Sequence, residues 1–391
     1  MEDATMTAAL HSTGHLIIGG GLAGSMLGLR LASAGKEVTL LEKERGPHHK
    51  VCGEFLSREA VDYLRGAGLD PLALGAVSLS VVRLAAGRSV VDANLPFPAL
   101  SLSRRILDEA LLRRAEHAGC KVRRGAFVES LTANSRGWEV HLRDGERWNA
   151  RTVFLANGKH DLRGHDRGNA TQGDLVGFKM HWRLASQQTA ALRDAMELFL
   201  FTGGYGGLSL IERDQANFCL VVKRARLRRL GGWDALFSSI VAEVPHLAQR
   251  LTGAEALWER PLAVSPIPYG YLASRSGLWC VGDQAAVIPS FTGDGMSIAL
   301  HSASLAARMY LAGDSPENYH RVLRRHLGKN MWLATTLSQL MVSAAGRTLA
   351  PAALSLMPSS LRWIANATRI PAEELLHGAQ ATPADQESVL L

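Results

Sequence analysis

Three glycines spaced Gly19-x-Gly21-x-x-Gly24 stand where a short apolar run, His15 to Ile18, gives way to a helical pattern over Leu22 to Ala34. Glycines at this spacing serve a dinucleotide: Gly19 makes the tight turn, Gly21 lets the backbone approach a pyrophosphate, and Gly24 lets the helix pack close to the strand. The helix N-terminus then offers unpaired N–H groups and the positive end of its dipole to the phosphates. Gly35 stops the helix, Glu37 to Leu41 reads as a second buried strand, and Glu42 follows where an acid can hold the adenosine ribose hydroxyls. The unit is βαβ, and its spacing suits NAD and FAD equally.

A second stretch able to do chemistry runs Trp279-Cys280-Val281-Gly282-Asp283-Gln284-Ala285-Ala286, continued by Pro289-Ser290-Phe291-Thr292-Gly293-Asp294-Gly295-Met296. A strand end here presents a short carboxylate, Asp283, to hydroxyl donors, and Gly293 and Gly295 leave N–H groups at a helix start open to an anion. The stretch resembles the glycine–aspartate motif of FAD-dependent aromatic hydroxylases, geranylgeranyl reductases and flavin halogenases. That resemblance implies FAD, with Gly282 and Asp283 on the ribityl chain, Gly293 and Gly295 at the pyrimidine edge, and Pro289 and Met296 in the cofactor set; non-covalent binding is expected because no cysteine or histidine is placed for attachment.

Two further segments carry the same resemblance. Leu102-Ser103-Arg104-Arg105-Ile106-Leu107-Asp108 is similar to the family's arginine-bearing helix start, which implies that Arg104 faces the pyrophosphate. Ala156-Asn157-Gly158-Lys159-His160-Asp161-Leu162-Arg163 is similar to its Asp-Gly motif, with Asn157 in place of the aspartate. Lys50-Val51-Cys52-Gly53-Glu54-Phe55-Leu56-Ser57 resembles the cysteine–glycine stretch of geranylgeranyl-reductase-like flavoproteins, which implies that Cys52 and Gly53 lie beside the isoalloxazine. Cys52 is the candidate catalytic residue, able to position substrate or donate a proton, although a lone cysteine is more often a small packed hydrophobe. Glu54 carries the same ambiguity. Leu22 and Ala23 in the first helical turn, Lys43 beside Glu42, and Val128 complete the expected cofactor set.

These residues need elements to position them. Ser103 to Ala118 has an amphipathic helical pattern with Ser103 as its N-cap, and segments around Lys121 to Val128, Trp138 to Leu142 and Thr152 to Ala156 read as strands extending the first sheet. From Leu175 to Lys223 strands alternate with glycine-rich turns, predicting a second, antiparallel sheet; Leu278 to Val281 then returns to the nucleotide domain, followed by a helix from about Gly295 to Leu311. The fold class expected is α/β: a Rossmann-like FAD-binding domain with a parallel sheet, interleaved with a mainly antiparallel β-sheet substrate domain, and a C-terminal helical segment. Residues 1–80 form the FAD-binding βαβ portion, 81–174 a mixed region mostly of the FAD domain, 175–275 the substrate sheet, 276–315 the return, and 316–391 C-terminal helices and tail. Those helices are expected to reach about Ala367 with interruptions near Pro351 and Pro358, and the first fourteen residues read as a frayed lead-in rather than a secretory signal.

Composition agrees with a catalytic globule. The chain has 391 residues, 47% hydrophobic and 20% charged, enough to bury a large core. Its net charge of +7 is scattered, with no basic run interleaved with aromatics, so nucleic acid is not expected as a partner. The four cysteines, Cys52, Cys120, Cys219 and Cys280, lie far apart without a C-x-x-C pair, which indicates neither zinc nor disulfides and suits a reducing cytoplasm. No segment reads as a membrane span; the apolar helices from Trp332 to Leu356, broken by Arg347 and Pro351, leave peripheral membrane contact open. The sequence does not fix the oligomeric state or the substrate.

Tyr205, Phe201, Trp182 and Phe291, with Phe199 and Tyr269, can line a pocket; each alone is more often a core aromatic, but as a set they suggest an apolar or aromatic substrate. No second strand–glycine–helix unit with a following acid is visible, so reducing equivalents are expected from NAD(P)H visiting transiently or from an external electron donor. The favoured reading is a monooxygenase that hydroxylates or epoxidises such a substrate through a flavin hydroperoxide. The Asn157-Gly158 region is hydroxylase-like, and small residues at Gly203 to Leu210 replace the reductases' aromatic strand. The alternative is geranylgeranyl-reductase-like reduction of a carbon–carbon double bond. A flavin halogenase lacks support without a Trp-x-Trp-x-Ile-Pro stretch, and a non-catalytic flavin-binding protein is the remaining reading.

Overall fold

The computed structural model describes residues 10–168, 170–343 and 366–376. Strand Leu10–Ile18 lies at the centre of a seven-stranded sheet, parallel to Val38–Glu42 on one side and to Arg147–Leu155 on the other, so that Ile18 pairs with both Leu41 and Leu155. Lys121–Arg124 continues the parallel order beyond Val38–Glu42, while Gly137–Leu142 and Val128–Asn134 add antiparallel strands beside Arg147–Leu155. Trp279–Cys280 joins the carboxyl end of Arg147–Leu155 in parallel, Cys280 against Leu155. The central strands read as near-continuous apolar runs because a parallel sheet is covered on both faces; Leu16, Ile17, Val38, Leu40, Phe154 and Leu155 are all at 0% exposure. Helices Leu22–Ser33, Arg104–His117 and Gly295–Leu311 pack beside this sheet.

The second sheet has nine strands. From one edge they run Glu255–Ala256, Leu175–Arg183, Ala216–Lys223, Gly204–Leu210, Ala195–Phe201, Val77–Ala86, Ser89–Ser101 and Phe55–Leu56, with Leu262–Val264 also paired to Leu175–Arg183. Every pairing is antiparallel except that between Ala195–Phe201 and Val77–Ala86. The α/β class with a parallel sheet and a mainly antiparallel partner is therefore observed. The hairpin Val77–Ser101 carries no strong sequence signal because its alternation is broken by half-exposed positions and a bulge between Leu79 and Val81.

Side chains alternate across this second sheet. Val176, Phe178, Phe199, Phe201, Leu208, Phe218, Leu220 and Val222 form one core with Leu236, Ile240 and Leu247 from the helices that follow the sheet. Tyr205, Leu200 and Val221 point the other way and join the core of the first domain. The chain then ends its described course in helix Pro316–Met341, capped by Ser315 Oγ accepting from Asn318 N–H at 3.2 Å, and the short segment 366–376. No helix among the described residues is long and apolar enough to cross a membrane. The expected helical course past residue 343, including Arg347, Pro351 and Pro358, falls outside the described residues, as do residues 1–9 and the final tail; of the expected frayed lead-in, Leu10 to Gly14 instead belong to the central strand, held by pairing of Leu10 to Thr13 with Arg147 to Ala150.

Phe201 is completely enclosed by the helix-side core. Phe201→Ala should lower unfolding stability by about 3–5 kcal/mol, the usual cost of emptying a buried aromatic site, as read from denaturant titration.

Candidate active site

The carboxyl ends of three parallel strands meet at one edge of the first sheet, where each is followed by a turn. Gly19 has φ +110°, and a Cβ there would lie 2.5 Å from Ala156 O; at Gly24 it would lie 1.8 Å from Gly19 O. Both positions thus need glycine for close approach. Gly20 N–H donates to Glu42 Oε2 at 2.7 Å and Glu44 N–H to Oε1 at 2.9 Å, which fixes the buried Glu42 carboxylate under the turn. Lys43 lies outside, with its ammonium 3.8 Å from Glu44.

The start of helix Leu22–Ser33 has no side-chain cap. A Cβ on Gly21 would meet Lys50 Nζ at 3.2 Å and Arg104 Nη2 at 3.6 Å, so two cations converge on this helix start. Asp108 holds both: Arg104 Nε donates at 2.6 Å and Nη2 at 2.9 Å, and Lys50 Nζ donates at 2.9 Å. Burial alone would raise the Asp108 carboxyl, but Arg104 and Lys50 bring it down to about 2. Two cations, one ionised carboxylate and a helix N-terminus form a net positive cradle suited to a diphosphate.

The second motif lies against the first. Gly282, at φ +61°, would place a Cβ 2.8 Å from that of Ala23, and its N–H donates to Ser302 Oγ at 2.9 Å. Asp283 accepts from Lys159 Nζ at 2.9 Å, which outweighs burial and holds its carboxyl below the ordinary range. Gln284 Nε2 donates to Gly158 O at 2.7 Å and to His160 O at 3.0 Å, so the Asn157-Gly158 turn and the Gly282-Asp283 turn form one wall. Arg167, for which the sequence offers no signal, braces that wall by donating to Asp283 O at 3.1 Å. Asn157 Oδ1, Asn217 Oδ1 and Gln284 Oε1 are buried without a hydrogen-bond partner among the described residues, which leaves them open to donors from a bound group. The glycine cradle, the cations and these acceptors fit FAD.

Further along, Thr292 Oγ1 donates to Pro289 O at 3.0 Å, and Gly293, at φ +73°, would bring a Cβ within 2.4 Å of the Phe55 ring. Helix Gly295–Leu311 begins here, with Met296 buried. Asp294 at its cap pairs with Arg369 Nη1 at 2.6 Å, yet burial lifts its carboxyl to about 6.

Between the two motifs runs the loop of Cys52. Its half-buried Sγ accepts from Glu54 N–H at 3.3 Å, and its carbonyl accepts from Asn217 Nδ2 at 3.1 Å; Gly53 beside it has no close neighbour at its Cβ position. Glu54 turns away from Cys52 into the sheet, fully buried, and accepts from Arg104 N–H at 2.8 Å, from the Lys179 ammonium and from His181 Nε2 at 3.2 Å. Burial would raise its carboxyl, but Lys179 and His181 hold it below the ordinary range. Lys179 and His181 escaped the sequence reading, although polar residues two apart in the apolar strand Leu175–Arg183 mark one shared face. His49 lies edge-on to His181, and His49, Glu54 and His181 offer ligand atoms within 4.8 Å of one another. The Lys179 ammonium already neutralises the carboxylate of that trio, so its chemistry is that of an ion pair rather than a divalent-cation site.

The expected pocket aromatics divide between the two faces of the sheet. Tyr205 and Phe291 meet edge to face at 5.8 Å, and Tyr269 OH donates to Ser290 Oγ at 2.9 Å beside them. Trp182 instead stacks on Phe237 at 5.5 Å, and Phe199 and Phe201 fill the helix-side core, because strand alternation points them away from the first domain. Val128 is packed within the first domain's core.

Comparison with known proteins places this geometry. Residues 12–161 match the FAD binding domain family. The menaquinone reductase of Mycobacterium tuberculosis (strain ATCC 25618 / H37Rv) is 23% identical over 345 residues, covering 83% of each chain; that of Mycolicibacterium smegmatis is 24% identical, covering 83% of this chain and 84% of the relative. Among solved structures, the flavin-dependent brominase Bmp2 superposes with TM-score 0.74 at 16% identity, covering 94% of this chain and 96% of that one. The halogenase PltM in complex with phloroglucinol and FAD gives TM-score 0.71 at 16% identity, with coverage of 95% and 89%. These structures share the fold.

The lifted Asp294 carboxyl has a consequence for stability. An acid with a raised folded-state value contributes stability that is complete below its ordinary value of 3.8 and is lost as pH rises through about 6. Between pH 4 and pH 7 the melting temperature of the wild type should therefore fall relative to that of Asp294→Asn. Parallel melting curves across that window would show that the carboxyl ionises as it does in the unfolded chain.

Proposed function

We propose that this chain, whose residues 12–161 match the FAD binding domain family, is an FAD-dependent oxidoreductase and acts as a monooxygenase on an apolar or aromatic small molecule. The observation that carries this reading is the meeting of the Gly19–Gly24, Asn157-Gly158 and Gly282-Asp283 turns at one edge, with the buried Tyr205 packed edge to face on the half-buried Phe291 of the second motif. FAD, when bound, supplies the two-electron chemistry by which one atom of dioxygen reaches the substrate. The chain's own residues bind and enclose it. Arg104, Lys50 and the start of helix Leu22–Ser33 hold the diphosphate, Glu42 the adenosine ribose, and Asp283 the ribityl hydroxyls. Tyr205, Tyr269 and Phe291 keep water from the reacting edge, which oxygen transfer requires. Reducing equivalents are proposed to come from NAD(P)H visiting the same site or from an external donor, since no second glycine turn of this kind follows a strand and opens a helix among the described residues.

A second reading is reduction of a carbon–carbon double bond. It is favoured by the proton-bearing groups packed under the Cys52 loop, Lys179 and His181 on Glu54, and by the menaquinone reductases among the relatives. Reducing the enzyme-bound flavin without oxygen, adding candidate quinones, phenols and isoprenoids, and then admitting isotopically labelled dioxygen separates the two. Label in the product is expected for oxygenation, whereas a gain of two hydrogens before oxygen enters would establish reduction.

Removing a hydrogen bond to a charged partner costs about 1.5–3 kcal/mol. Asp283→Ala should accordingly weaken FAD binding by roughly 10- to 100-fold, measured by flavin fluorescence on titration. Unchanged affinity would take the ribityl role away from Asp283.

A further inference from the structure

Glu54 is bonded at every polar atom it has. Its N–H donates to Cys52 Sγ at 3.3 Å; its carbonyl accepts from Leu102 N–H at 3.1 Å and Ser101 Oγ at 3.2 Å; its carboxylate takes Arg104 N–H, Lys179 and His181. Its backbone sits at φ +59°, a region that a residue with a side chain leaves unless its surroundings over-determine it. Through these bonds one residue joins three elements: the Cys52-Gly53 turn, the sheet strand that carries Lys179 and His181, and the first turn of helix Arg104–His117, whose Arg104 side chain reaches Gly21. A buried ion pair is a poor source of stability compared with apolar packing, but it fixes a geometry, because leaving either charge unpaired is costly.

We propose that Glu54, clamped by Lys179 and His181, is a positioning residue for the flavin reaction: it sets the Cys52-Gly53 turn and the Arg104 helix start in place against the cofactor. The inference rests on the reading that FAD occupies the cradle between Gly21 and Asp283. It assigns to the substrate-sheet face, through Lys179, control over the geometry of the loop beside the flavin.

The test compares wild type, Glu54→Gln, Glu54→Asp and Lys179→Met as flavin-loaded protein. Readouts are the rate of Cys52 alkylation by iodoacetamide, followed by peptide mass, together with the flavin visible spectrum, the FAD dissociation constant and the melting temperature. Glu54→Gln and Lys179→Met are expected to remain folded, change Cys52 alkylation at least tenfold, shift the flavin absorption band and weaken FAD binding about tenfold. A folded Glu54→Gln with wild-type Cys52 reactivity and an unaltered flavin spectrum overturns the proposal. Should Glu54→Gln not fold, Glu54→Asp, which keeps the charge but shortens its reach, is read in the same way; wild-type Cys52 reactivity in it is equally fatal. If wild type itself takes up no FAD, the flavin reading fails, and the Cys52 alkylation rates of the same variants without flavin still decide whether Glu54 sets the turn.

Discussion

The close approach of backbone to backbone at Gly19 and Gly24 is the constraint on which the rest of this structure hangs. With hardly room for a hydrogen between Gly24 and the carbonyl of Gly19, the first helix begins almost in contact with the strand that precedes it, and its N-terminus is brought to the edge where the neighbouring strands also end. The Ala156 carbonyl packs against Gly19, and Gly282 packs against Ala23, so the turns after three parallel strands share one small volume. Parallel strands all deliver their following loops to the same edge, which is why residues far apart in the chain can act on one ligand.

Charge is distributed around that edge with a clear division. Cations gather at the helix start, where Asp108 holds Lys50 and Arg104 in place without cancelling their combined charge. Carboxylates occupy the two ends: Glu42 beneath the first turn and Asp283 on the wall opposite, each kept in position by donors from the protein. Between them the Cys52 loop is tied downward into the second sheet by Glu54. The antiparallel sheet therefore does more than cover the first domain; its polar face reaches under the Cys52 loop.

The two faces of that second sheet show how one strand serves two purposes. On the face covered by helices, Phe199, Phe201 and Phe218 build an ordinary aromatic core. On the opposite face of the same sheet lie Lys179, His181, Asn217 and Tyr205, all enclosed and bonded to groups outside the sheet's own core. The helix-side core holds the sheet rigid, and rigidity is what allows a buried charge pair to act as a fixed anchor.

The sequence by itself determined the βαβ unit, the capped helix after Ser103, the return strand before Gly282 and the helix from Gly295, because these depend on local signals: glycine spacing, a serine cap and runs of buried apolar residues. It likewise marked Arg104, Asp283 and Cys52 by their short surroundings. Only the tertiary structure decided that Lys159 and the Asn157-Gly158 turn pair with the Asp283 loop, that Lys179 and His181 converge on Glu54, and that Trp182 and Phe201 face away from Tyr205 and Phe291. Those facts concern which strand lies beside which and which face of a sheet meets the other domain. Pairing of that kind is settled by the packing of distant segments against one another, and no local pattern of residue types records it.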